Sequence, residues 1–306
     1  MSEGYVIAVG SACIDENNNA DRWPELGDKC LIRPTGDLVG GMIANAACVL
    51  AGYGLRTCMF DALNSRQADF ILKDLKSYGL DVEHVRIDDS LPDAKCIIVR
   101  TPTDRAILVV SEPKPDIVLT KAEEEFFSGA AYVYSTPSEM RKIVGACAHM
   151  RAWRAGGVRI VLDVESSTYV EADEDLLKSA SMIFFNEFGF ANCLRGRSEV
   201  AFRAELFDAG VEVITVTLGA AGSETWTRSD HDRTGGTPGE GRGYDRCGRH
   251  LQQFVCVLHE SELRHPQGRR VRKPGGRRFR HAGRPQERRR TGGAHLGNGG
   301  VKRGKG

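Results

Sequence analysis

The sequence predicts a three-layer α/β fold, a doubly wound and mostly parallel β-sheet with helices on both faces and a small β lid. Three observations carry this. Short apolar runs alternate with helical stretches between Tyr5 and Thr217, and strands joined through helices pair in parallel because the crossover returns the chain in its original direction. One pair of apolar runs, Cys96 to Arg100 and Ala106 to Val110, is joined instead by the polar turn Thr101-Pro-Thr-Asp-Arg105, which marks a hairpin interrupting that alternation. The chain has 306 residues, 41% hydrophobic and 27% charged, enough to bury a core of its own. A disulfide-stapled miniprotein and a wholly disordered chain are both excluded.

Taken in order, Tyr5 to Val9 is an apolar run ending in Gly10-Ser11 and reads as a buried first strand. Residues 42–53 form a small-residue helix opened by Gly40-Gly41, and Arg56 to Phe60 is the strand after it. Gln67 to Tyr78 is helical and stops at Gly79, a residue that accepts the left-handed conformation common after a helix end. The hairpin 96–110 follows, an appendage placed to cover a site. Alternation then resumes with the strand Ala131 to Tyr134, the helix Glu139 to Ala155, the strand Ile160 to Asp163 and the helix Asp173 to Ser179. The strand Met182 to Phe185, the helix Glu199 to Ala209 and the strand Val213 to Thr217 complete it.

Past Thr227 the chemistry changes. Residues 228–306 hold 20 of the 42 Lys and Arg but only 7 of the 41 Asp and Glu, a net charge of +13 that leaves −12 on residues 1–227. Neither helical nor strand periodicity places an apolar face there, so a body over 1–227 and a poorly ordered Arg/Gly-rich tail over 228–306 are expected. Nine scattered cysteines, an odd number without a C-x-x-C pair, read as reduced thiols. The N-terminus lacks the basic region and cleavage site of a signal peptide, and no run approaches ~18 apolar residues. A cytoplasmic protein without a membrane partner is expected.

Three strand ends carry chemical potential. Asp15 follows strand one within Gly10-Ser-Ala-Cys-Ile-Asp15; a carboxylate there either caps a turn or accepts hydrogen bonds from two neighbouring hydroxyls, as a sugar presents. In Gly40-Gly41-Met-Ile-Ala-Asn45 the glycines let backbone approach a ligand, and Asn45 offers a donor and an acceptor one turn into the helix. Val216-Thr217-Leu218-Gly219-Ala220-Ala221-Gly222 is a strand running into a Gly-rich turn, either a plain connection or a nucleotide contact.

In this order, these three segments resemble the PfkB, or ribokinase-like, family of ATP-dependent carbohydrate kinases over residues 5 to 227. The resemblance implies that Asp15, Gly40, Gly41 and Asn45 hold sugar hydroxyls, and that the hairpin with nearby N-terminal strands forms the lid. It places Asn186, Thr217, Gly219 and Gly222 near ATP. The family's Asn-x-x-Glu motif, which organises Mg2+ and phosphate through water, reads here Asn186-Glu187-Phe188-Gly189. Its usual glutamate is missing at 189, which leaves Glu187 as the substitute for magnesium. Family members often dimerise through lid strands, which implies a homodimer here. Nucleoside kinases share the fold and are the alternative substrate class.

One family element is absent. Past the Thr-Leu-Gly turn these kinases carry T-G-A-G-D, whose amides cradle the transferring phosphoryl group and whose Asp deprotonates the attacking hydroxyl. This chain has Tyr244-Asp-Arg-Cys-Gly-Arg-His250 instead, so no catalytic residue is assigned. The genetic code accounts for the gap. Back-translated and read one base later, Tyr244 to Gln253 permits T-T-G-A-G-D-T-F-N, Asp232 to Gly243 permits I-E-L-V-A-P-R-A-R-V-V-A, and Gln267 to Gly283 permits an alanine-rich helix. A one-base slip near Thr227 is therefore expected to have replaced the C-terminal third. The competing reading, a nucleic-acid-binding tail on a non-catalytic body, is disfavoured because Tyr244, Phe254 and Phe279 are the tail's only aromatics, too few for a stacking platform.

Overall fold

The computed structural model describes residues 4–110, 112 and 114–235. β1 (Val6–Val9) is buried throughout. It leads to β2 (Cys13–Ala20) and β3 (Ile32–Gly40), which pair antiparallel. α1 (Met42–Gly52) is rich in small residues and buries Ile43, Ala44, Ala46, Ala47 and Leu50. β4 (Thr57–Leu63) and α2 (Ser65–Ser77) come next, the helix capped by the Asn64 side chain. β5 (Val85–Ile87) is short, and β6 (Lys95–Arg100) with β7 (Arg105–Val110) forms the expected hairpin.

α3 (Lys121–Ser128) opens on a capping box in which Thr120 and Glu123 bond each other's backbone amides, satisfying donors that a helix start leaves unpaired. β8 (Tyr132–Ser135) follows. The helix expected over 139–155 is instead two: α4 (Pro137–Met140) and α5 (Ala146–Ala155). Gly145, at φ 71°, breaks the helix, and Ile143 leaves it to bridge Ile117. β9 (Arg159–Val164), α6 (Glu174–Ser179), β10 (Met182–Asn186), α7 (Glu187–Leu194), α8 (Glu199–Asp208) and β11 (Val213–Thr217) continue the winding. β12 (Gly222–Trp226) and β13 (His231–Gly235) end the described chain.

Two sheets result. The large one runs β13-β12-β11-β10-β9-β8-β1-β4-β5, parallel from β5 to β11 and antiparallel at its last two strands. Because side chains alternate along a strand, Val6 and Ala8 pack with α1 and α2 on one face. Ile7 and Val9 pack with Phe127, Trp153, Leu177 and Phe202 on the other. The lid is the second sheet, in the order β3-β2-β6-β7.

The expected boundary at Thr227 moves. β13 pairs residue by residue with β12 through Gly235, so regular structure outlasts the apolar pattern. All five of its residues are exposed; the strand adds ladder hydrogen bonds and no core. The remainder of the tail, 236–306, lies outside the described residues.

Candidate active site

The carboxyl ends of β1, β4 and β8 meet at one place, since Val9 lies between Phe60 and Ser135 in parallel register. Just beyond, the sugar residues expected from the sequence come together. An added Cβ at Gly40 would lie 2.3 Å from Asp15 Oδ2, so the Asp15 carboxylate rests directly on the Gly40 backbone. Gly41 holds φ 107°, and its Cβ would lie 2.3 Å from the Ser11 carbonyl oxygen; only glycine lets the two segments approach like this. Asn45 is exposed in the first turn of α1, with its backbone N–H donating to the Gly41 carbonyl at 2.9 Å.

Four more polar groups, Ser11, Glu139, Lys142 and Asp61, lie at these strand ends and escaped the sequence reading. Ser11 Oγ donates to Glu139 Oε1 at 3.3 Å, and Lys142 Nζ holds the same carboxylate at 2.7–2.8 Å. Asp61, at the end of β4, accepts from the amides of Ala12 and Ala62, each at 2.7 Å. Burial pushes its carboxyl up to about 7, against the downward pull of Lys114 and those amides. The only sequence signal for Glu139 was its place just after Ser135-Thr136-Pro137, a strand end turning into a helix start. Asp61 stood in an apolar run with nothing to mark it.

Asp15 has a second neighbourhood. Burial raises its pKa, and the Cys13 thiol donates to its Oδ1 at 3.6 Å. Cys13 and Cys96 lie 3.8 Å apart, sulfur to sulfur. That contact, and then burial, raises the Cys13 pKa, whereas the same contact lowers Cys96.

The nucleotide residues gather further along the same edge. Asn186 and Thr217 are paired neighbours in β10 and β11. Asn186 caps α7, its side-chain oxygen accepting from Gly189 N at 2.6 Å. Gly219 (φ 56°) and Gly222 (φ 99°) bracket the turn to β12. A glycine-bracketed turn at a strand end is a backbone shape that suits close approach by a phosphate or ribose. Magnesium fits less well. Glu187 is one exposed carboxylate, and a side chain at 189 would meet the Val164 carbonyl oxygen at 2.3 Å, so α7 packs only with glycine where the family has glutamate.

The fold is a doubly wound α/β architecture with a small β lid, and the candidate residues lie at the carboxyl ends of its strands. The model of the pfkB family of carbohydrate kinases matches residues 4–237, and the chain belongs to that family. No curated protein matches the sequence. Among solved structures it is similar to an Arabidopsis thaliana ribokinase complexed with ribose and ATP, at 18% identity and TM-score 0.69, covering 85% of this chain and 86% of that one. A Xylella fastidiosa fructokinase with bound ATP is similar at 16% identity and TM-score 0.66 over 83% and 82%. A Methanocaldococcus jannaschii nucleoside kinase is similar at 13% and 0.67 over 86% of each chain. Among the described residues no helix is long and apolar enough to cross a membrane.

Proposed function

We propose that this chain is by descent an ATP-dependent sugar kinase, and that as written it lacks the transfer step. The observation that carries the reading is the unbroken run of contacts from Asp15 over Gly40, through Gly41 and Ser11, to Glu139. It builds a crevice of acceptors at the mouth of the sheet, suited to neighbouring hydroxyls. ATP takes the Gly219–Gly222 turn beside Asn186 and Thr217. Phosphoryl transfer rests on positioning and charge stabilisation, and the sequence past β13 contains neither the T-G-A-G-D cradle nor its base.

A one-base slip near Thr227 explains that loss. The coding DNA tests it: codons that spell T-G-A-G-D one base over are expected, and codons that cannot spell it would remove the slip. The alternative substrate class, nucleosides, belongs in any activity panel beside the sugars.

A homodimer through the lid is part of the same reading. Register places Leu38, Asp15, Cys96 and Val109 in one row across the four lid strands, and Leu38 and Val109 are 53% and 69% exposed. Sedimentation of the chain against Leu38→Glu/Val109→Glu should show the dimer giving way to monomer; a monomeric parent chain would refute it.

A further inference from the structure

The lid strands place two thiols and a carboxylate on one face of one sheet. Cys13 and Asp15 are two apart on β2 and so point the same way, and Cys96 on β6 is the direct parallel partner of Asp15. One ligand atom from each lies within 4.8 Å of the others. We propose that Cys13, Asp15 and Cys96 form a binding site for a thiophilic divalent cation, zinc, with the fourth position open.

The spacing fits that ion. Tetrahedral zinc with bonds of about 2.3 Å to sulfur and about 2.1 Å to a carboxylate oxygen separates two sulfurs by about 3.8 Å and a sulfur from an oxygen by about 3.6 Å. The observed separations are 3.8 Å between the sulfurs and 3.6 Å from Cys13 Sγ to Asp15 Oδ1. Both printed separations match zinc, and the third ligand pair lies within 4.8 Å on directly paired strands. Magnesium and calcium are excluded by the donor set, since hard cations take oxygen. Cys13 is buried, while Cys96 and Asp15 are half-buried, so two of the three ligands are reachable from solvent. Binding displaces protons from the sulfurs, and affinity rises with pH accordingly.

Cobalt titration of the full chain, reduced and free of air, reads the site directly. One equivalent should give a thiolate-to-cobalt charge-transfer band with tetrahedral d–d absorption, and zinc should bleach both. Cys13→Ser and Cys96→Ser should each weaken binding about 100-fold or more, Asp15→Asn about 10-fold, and Cys147→Ser, on α5, not at all. As a check that needs no variant, zinc should protect Cys13 and Cys96 from alkylation in the parent chain, measured by peptide mass spectrometry. An undiminished band in the Cys13→Ser/Cys96→Ser double variant, or equal alkylation with and without zinc, would overturn the proposal. Neither nucleotide nor sugar enters the experiment, so its outcome is independent of the kinase reading.

Discussion

Gly41 holds a backbone angle of 107° with a neighbouring carbonyl oxygen 2.3 Å from where a Cβ would stand. Gly41→Ala therefore meets strain and a backbone clash together and should cost about 2–5 kcal/mol in urea unfolding. Gly54→Ala is the control, with φ 85° and no described residue within 4 Å of an added Cβ, and should cost only about 1 kcal/mol. Equal costs would show that the Ser11 contact is immaterial. Asp61 sets a pH dependence. Its carboxyl, pushed up to about 7 by burial, holds a proton in the folded state that the unfolded chain releases near pH 4. Folded protein thus binds more protons between about pH 4 and 7, and stability falls as pH rises through that window, at up to about 1.4 kcal/mol per unit from this group. Comparing unfolding of the parent with Asp61→Asn at several pH values should show that slope only in the parent; parallel profiles would contradict the assignment.

Among elements, α3 shows how a capping signal outweighs a weak apolar face. Thr120 Oγ accepts from Glu123 N at 3.3 Å, and Glu123 Oε2 accepts from Thr120 N at 2.8 Å. Thr120→Ala should cost about 1 kcal/mol by thermal or chemical unfolding, and no loss would mean that the packing of Phe127 on Trp153, centroids 4.5 Å apart, holds α3 alone. That Thr-x-x-Glu box was legible in the sequence, yet the helix was missed because its eight residues offer little apolar periodicity. The core strands β1, β9, β10 and β11 were legible because burial on both faces makes them continuous apolar runs. β2 was not, since Asp-Glu-Asn-Asn-Asn has no strand composition; it forms because β3 and β6 pair with both of its edges. α7 was hidden by Gly189, which lowers helix propensity but is required where the helix crosses the Val164 carbonyl. Within the site, Asp15, Gly40 and Gly41 were readable from glycine placement at a strand end. Glu139 was not, because a helix start with a first-turn acid looks the same whether or not a serine from another strand docks on it.

At the scale of the whole molecule, two cores, one on each face of a single sheet, hold the strand ends along which the residues proposed for sugar and nucleotide lie. The proposed reaction needs a base at the acceptor hydroxyl and amides aimed at the phosphoryl group. Removing a general base costs about 10²–10⁴-fold and an anion cradle about 10²–10³-fold more. The decisive measurement is ADP release from ATP, over a panel of sugars and nucleosides, by the chain as written and by a version with the frame restored after Thr227. Turnover on a sugar by the restored protein, with the chain as written slower by at least about 10⁴-fold, is the predicted result. Equal turnover by the two proteins would show that residues 228–306 work as a C-terminal kinase segment and that the account is wrong.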